Sequence, residues 1–253
     1  MSIERCILAI GHPGHELLTH QWMVIHRPTV LVLTDGSGGA GLPRIEETRE
    51  TVVQAGGLVG PVFGAGPDKR FYEAILAHDA PFFAAFVDAA TAAMEACDAQ
   101  LVLSDAIEHF NPVHDLCCVI AALAARRAER SLGHGVAHWD FAIELQDGGP
   151  RPGAVTLALD DRAVLAKQTA AARFPTLAAE VAAMVARHPA LLRQETIRPV
   201  TGPLLPAPPP QGAYYEQFGR ARVQGGAYAQ LITYDDHLAP LARALEQWTH
   251  SLA

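Results

Sequence analysis

Arg5-Cys-Ile-Leu-Ala-Ile10-Gly-His-Pro-Gly-His-Glu16 decides how this chain is read. The apolar run from Cys6 stops at Gly11, which marks a short buried strand. His12 and Pro13 then open a helical pattern that runs to about Ile25, with Leu17, Leu18, Trp22 and Ile25 on one side. Proline suits a first helical position, because the N–H it lacks would find no partner there. Pro28 stops the helix, and Val30-Leu-Val-Leu33 is a second strand. A strand that turns straight into a helix is the repeating unit of an open α/β sheet. It puts His12 and His15 at the carboxyl edge of that sheet, where such folds bind ligands.

The same grammar recurs downstream. Leu101-Val-Leu103 is a strand, Asn111 an N-cap, Pro112 a first helical position, and His114 lies in the first turn of a helix reaching about Arg130. If the two strands are neighbours, His12, His15 and His114 meet, and three imidazoles plus water make an open zinc site. A lone histidine at a helix start is more often a cap or a surface residue; it is the repetition of the junction that points to a metal. Cys117 and Cys118 lie deeper in the helix and are read as packing residues.

Between and beyond these junctions, helices are expected at about 44–55, 80–97, 161–173, 177–187 and 237–252, and strands at 141–145, 154–159 and 228–234. Alternating strands and helices with continuous apolar strands give a Rossmann-like α/β fold with a mostly parallel sheet. Six prolines between Pro199 and Pro210 read as an extended strap. We therefore expect an α/β core over 1–198 and a C-terminal extension over 199–253 that packs on it.

Composition narrows the function. The chain has 253 residues, 50% of them apolar and 18% charged, enough for a sizeable core. Its net charge of −8 and lack of any basic run argue against nucleic acid or an anionic membrane surface as partner. No stretch is apolar enough to span a bilayer, and the N-terminus is unlike a signal peptide. Four cysteines, two of them adjacent, are not a disulfide scaffold, so a cytoplasmic location is expected. Oligomeric state is left open.

His12-Pro-Gly-His-Glu16 resembles the His-Pro-Asp-Asp-Glu signature of the PIG-L/LmbE-like N-acetylglucosaminide deacetylases. Thr34-Asp-Gly-Ser-Gly-Gly resembles that family's Thr-x-Gly turn, Arg44-x-x-Glu47 its Arg-x-x-Glu helix, and Asn111-Pro-Val-His114 its His-Pro-Asp-His. Asp68 falls near a recurrent aspartate. The resemblance covers residues 5–130 in order. It implies a metal-dependent hydrolase, usually with zinc, that removes an acyl group from an amino sugar. His12 and His114 match metal ligands, and His15 stands where the family has an aspartate ligand. Gly14 stands in place of the general-base aspartate, Asn111 in place of a histidine, and Val113 in place of a further aspartate.

Glu16, Glu108 and Asp115 are the candidate replacement bases. Each also has a plain reading, since Glu16 and Asp115 lie in first helical turns, where acids suit the helix dipole, and Glu108 lies in a loop. Asp35, Arg44 and Asn111 are candidate substrate contacts. The glycine loop 34–41 either brings backbone N–H groups to a substrate or simply connects two elements. Tyr214, Tyr215 and Phe218 either stack on a sugar or dock on the core. The expectation is a divalent-metal hydrolase, with Zn2+ the first choice, cleaving the amide of an amino-sugar-like small molecule. Two rivals stand beside it: a catalytically impaired relative that binds a sugar or a partner, and a three-histidine site with other chemistry.

Overall fold

The computed structural model describes residues 5–38, 41–144 and 152–251. Gly39 and Ala40 of the glycine loop, Leu145 of an expected strand and Leu252 of the last helix lie outside the described residues, as do Met1–Glu4.

The first strand, β1 (Cys6–Ile10), is buried along its whole length and lies between two parallel neighbours. It pairs with β2 (Thr29–Val32) through Leu8 opposite Val30, and with β4 (Leu101–Asp105) through Leu8 opposite Leu103. Side chains alternate across a strand. Ile7 and Ala9 therefore enter one core, and Cys6, Leu8 and Ile10 the other. Both faces being covered is why the strand is apolar throughout rather than alternating.

The sheet runs β3-β2-β1-β4-β5-β7-β6, with β3 (Leu58–Phe63), β5 (Ala137–Phe141), β6 (Val155–Ala158) and β7 (Gln194–Pro199). Strands β1 to β5 pair in parallel, and β7 runs antiparallel to both β5 and β6. The order reverses between β1 and β4, so the crevice outside their carboxyl ends is the switch point where open α/β sheets bind ligands. One face carries α1 (His20–His26) and α2 (Ile45–Gln54). The other carries α3 (Asp68–Leu76), α4 (Ala80–Ala96), α5 (Pro112–Leu132) and α9 (Ala239–Ser251). The remaining helices are α6 (Asp161–Ala171), α7 (Ala178–Arg187) and α8 (Tyr214–Gln224).

Helix α5 starts and stops as its sequence dictates. Asn111 Oδ1 accepts from the Val113 N–H at 2.9 Å, Pro112 follows, and Gly133 closes the helix at φ +73°. Leu238, just before the last helix, and Leu241, Ala242 and Leu245 within it are buried beside α4 and α5.

Four expectations need correction. Pro13 does not open a helix. Gly14 takes φ +103°, and a short 3-10 turn, His15–Thr19, precedes α1. The strand expected at 141–145 is displaced to 137–141, because His138 and Asp140 are polar residues placed inside: His138 Nε2 meets Ser104 Oγ at 2.9 Å, and Asp140 accepts from Arg198 at 2.6 Å. The strand expected at 228–234 is coil, followed by a wide π turn over Tyr234–Leu238. Strands β3 and β7 have no counterpart among the expected elements. β3 contains Gly60 and Pro61, which an edge strand tolerates, and β7 carries buried Glu195 and Arg198.

Candidate metal centre

The three histidines expected to meet do meet. Their ring centres lie 5.4 Å (His12–His15), 5.0 Å (His12–His114) and 4.5 Å (His15–His114) apart. With Zn–N distances of about 2.0–2.1 Å and tetrahedral angles, imidazoles sharing one ion have ring centres roughly 5 Å apart. The spacing is therefore that of a shared ligand sphere. Among the described residues, no group of three or more His, Cys, Asp or Glu is posed to coordinate an ion as it stands. The rings stand edge to face, 69–88° from one another.

The ring nitrogens show what the site can accept. His12 Nδ1 lies 2.8 Å from Thr34 Oγ1 and 2.7 Å from Asp68 Oδ1. His15 Nδ1 lies 2.9 Å from Asp105 Oδ2. With the proton on Nδ1 facing these acceptors, each ring keeps its lone pair on Nε2. A carboxylate behind a histidine is the usual outer support of a metal ligand; it fixes the tautomer and raises basicity. His12 Nε2 and His114 Nδ1 are buried and have no hydrogen-bond partner among the described residues. Such orphaned nitrogens are costly unless something binds them, and a divalent cation fits the donor set.

The charge pattern differs between the rings. Burial, with the neighbouring His15 and His12, holds His114 well below the ordinary histidine value, so its imidazole is neutral and a competent ligand. Burial also works against charge on His15, but Asp105 beside it raises that ring above its ordinary value. Burial pushes the Asp68 carboxyl up, yet hydrogen bonding and charge from His12, with Thr34 and the Gly38 N–H, hold it far below the usual carboxylate range.

Asp105 and Asp68 tie the site to the fold. Asp105 is the last residue of β4, and its Oδ2 also accepts from the Gly11 N–H at 2.8 Å, joining the ends of two neighbouring strands. Asp68 begins α3, and through the Gly38 N–H it also anchors the loop after β2. Asp105 received no role from the sequence. Its signal was present, an acid closing a strand that opens on the apolar run Leu101-Val-Leu103.

The candidate bases are all committed to backbone. Glu16 is fully buried, and its Oε2 accepts from the Gly14 N–H at 2.8 Å. Burial raises its pKa, with His15 near enough to oppose the shift. Glu108 Oε2 accepts from the Ile143 and Glu144 N–H groups at 2.7 and 2.9 Å. Asp115 Oδ1 accepts from the Glu108 and His109 N–H groups, both at 3.2 Å, and burial raises its pKa. A Cβ on Gly14 would stand 2.6 Å from Leu177 Cδ1, so an apolar side chain covers that position.

The candidate substrate contacts divide. Arg44 comes near the cluster: its charge opposes that of His15, and its guanidinium borders Gly36. Asp35 accepts from the Ser37 N–H at 2.8 Å, an internal turn. Asn111 caps α5, and its amide donates to the Tyr72 hydroxyl at 3.2 Å.

No family model matches the chain, and no curated protein matches it. Solved structures do. A triple mutant of a deacetylase in the teicoplanin biosynthetic pathway aligns with a TM-score of 0.51 at 16% identity, over 78% of this chain and 98% of that one. The A40926 pseudoaglycone deacetylase gives 0.48 at 16% identity, over 79% and 98%. A conserved protein of Thermus thermophilus gives 0.47 at 15%, over 81% and 97%. At such identities, what this chain shares with the teicoplanin-pathway deacetylase is its α/β fold.

Proposed function

We propose that this protein is a metal-dependent amide hydrolase that removes an acyl group from an amino-sugar-like small molecule. His12, His15 and His114 hold one divalent cation, zinc being the first choice for three imidazoles. The observation that carries the reading is the gathering of these rings at the switch point, with a carboxylate behind two of them. The deacetylase-like motif order over residues 5–130 and a fold shared with a solved deacetylase support the substrate class. When bound, the cation would polarise the amide carbonyl and acidify a water.

The chain's own residues have definable roles. Asp68 and Asp105 orient His12 and His15, and Arg44 supplies a positive charge at the rim for a substrate oxygen. Among the proposed bases, Glu16 couples most directly to the cluster, through His15.

Leu177 over Gly14 favours a second reading, in which the site binds its sugar-like ligand without turning it over. One experiment separates the two. Zinc-loaded protein is incubated with a panel of N-acyl amino sugars, and free amine is measured. Amine release that His114→Ala abolishes supports the hydrolase. Ligand binding without release, across the panel, supports the second reading.

A further inference from the structure

Helix α8 carries a stripe that the fold does not use. Tyr215 and Gly219 face inward, and a Cβ on Gly219 would stand 2.7 Å from Leu231 Cδ1. On the other side, Tyr214 and Phe218 are 42% and 44% exposed, and Tyr228 beyond the helix is 46% exposed. Large apolar residues exposed in one contiguous row mark a binding surface more often than residues scattered singly do.

The row is ordered. Phe110 stacks on Tyr214 with ring centres 4.3 Å apart and planes 3° from parallel. Tyr214 and Phe218 follow at 6.3 Å and 22°, and Phe218 meets Tyr228 edge to face at 6.5 Å. Arg222 closes the far end, 5.2 Å over the Phe218 ring and 5.8 Å over that of Tyr228. Its guanidinium has no ion-pair partner among the described residues.

The near end starts in the loop between β4 and α5, at the same carboxyl edge of the sheet as His114. Phe110 sits between buried His109 and Asn111, the cap of the helix whose first turn presents His114. The Tyr214 N–H donates to the His109 carbonyl at 2.8 Å, so α8 begins on the rim of the same crevice.

We propose that this row is the outer subsite of the histidine centre, and that it takes a substrate bearing a flat aryl group with an anionic substituent beyond it. A flat ring continues a stack of near-parallel rings, and aromatic pairs gain from that geometry beyond the area they bury. The unpartnered Arg222 selects an anion at the distal end. This inference rests on the amide-hydrolase reading only in taking the row as part of the same site.

The test uses the full chain and three probes: methyl, phenyl and 4-carboxyphenyl N-acetyl-β-glucosaminide. Affinities are measured by calorimetry, and amide hydrolysis by amine release. The phenyl glycoside should bind at least about tenfold tighter than the methyl one, and the carboxylate should add a further gain. Phe218→Ala and, independently, Tyr228→Ala should shrink the phenyl-to-methyl ratio to below about threefold, and Arg222→Gln should remove the carboxylate gain. A ratio near one in the unaltered protein, or a ratio that survives both aromatic replacements, overturns the subsite. So does a dimer in sedimentation that Phe218→Ala dissolves without changing the ratio, since the row would then serve a second copy of the chain. Aryl preference without amine release sinks the hydrolase and leaves the subsite standing; amine release without aryl preference does the reverse.

Discussion

Gly14 holds φ at +103°, and its missing side chain leaves the space that Leu177 fills. Gly14→Asp therefore meets two costs, left-handed backbone strain and a clash with Leu177. Thermal unfolding should show a loss of about 1–3 kcal/mol, and adding Leu177→Ala should recover only the steric part. A Gly14→Asp chain as stable as the original would show that the turn relaxes. Asp105 makes a different kind of contribution, orienting His15 while tying together the ends of β1 and β4. Asp105→Asn should weaken zinc binding by about 10- to 100-fold in chelator competition, and an unchanged affinity would mean that His15 needs no orienter. The meeting of His12, His15 and His114 was legible because both junctions repeat one pattern of strand, proline and histidine. Asp105 behind them was not, because a buried acid closing a strand shows its purpose only once its partner, distant in sequence, is in place, and Asp68 was visible only as a match to a recurrent aspartate or as a helix cap.

At the scale of elements, the antiparallel strand β7 is held by charge rather than by oil. Lys167 of α6 donates to Glu195 at 3.0 Å and to the Leu18 carbonyl at 3.3 Å. Glu195 also accepts from the Gln21 and Trp22 N–H groups at the start of α1, close behind the turn that carries His15. Lys167→Met leaves a buried carboxylate without its cation and should cost about 3–5 kcal/mol in urea unfolding; a loss below about 1 kcal/mol would mean the backbone donors suffice. These charges are also why β7 escaped an apolar-run reading. β3 escaped it through Gly60 and Pro61, whose backbone demands only an edge position satisfies.

Two histidines give the elements a pH dependence. Burial, then the charges of Lys167 and Arg173, takes His20 down to about 4, and burial, then Arg126, takes His138 down to about 4. Each is proton-free when folded over a range in which the unfolded chain, with an ordinary value near 6.5, binds a proton. The unfolded state holds more protons between about pH 4 and 6.5, so these groups make stability rise with pH across that window and fall on acidification. Replacing His138 by Gln should flatten part of the loss between pH 7 and pH 5 in denaturant titrations. An identical slope in the variant would remove His138 as a cause.

For the whole molecule, the sheet order places the reversal between β1 and β4, and the cluster of His12, His15 and His114 spans that reversal. Neither strand alone presents more than two of the rings, so folding and site assembly are one event. The C-terminal extension contributes Leu241 and Leu245 to the core and stacks Tyr214 on Phe110. The α/β order was readable from periodicity. The path of 200–233 was not, because its prolines and exposed aromatics carry no period. The most direct test of the account is a crystal structure of the zinc-soaked protein with anomalous data. The account predicts a single zinc peak about 2.0–2.1 Å from one ring nitrogen each of His12, His15 and His114. A zinc bound elsewhere, or three rings that stay apart with no peak between them, would contradict it.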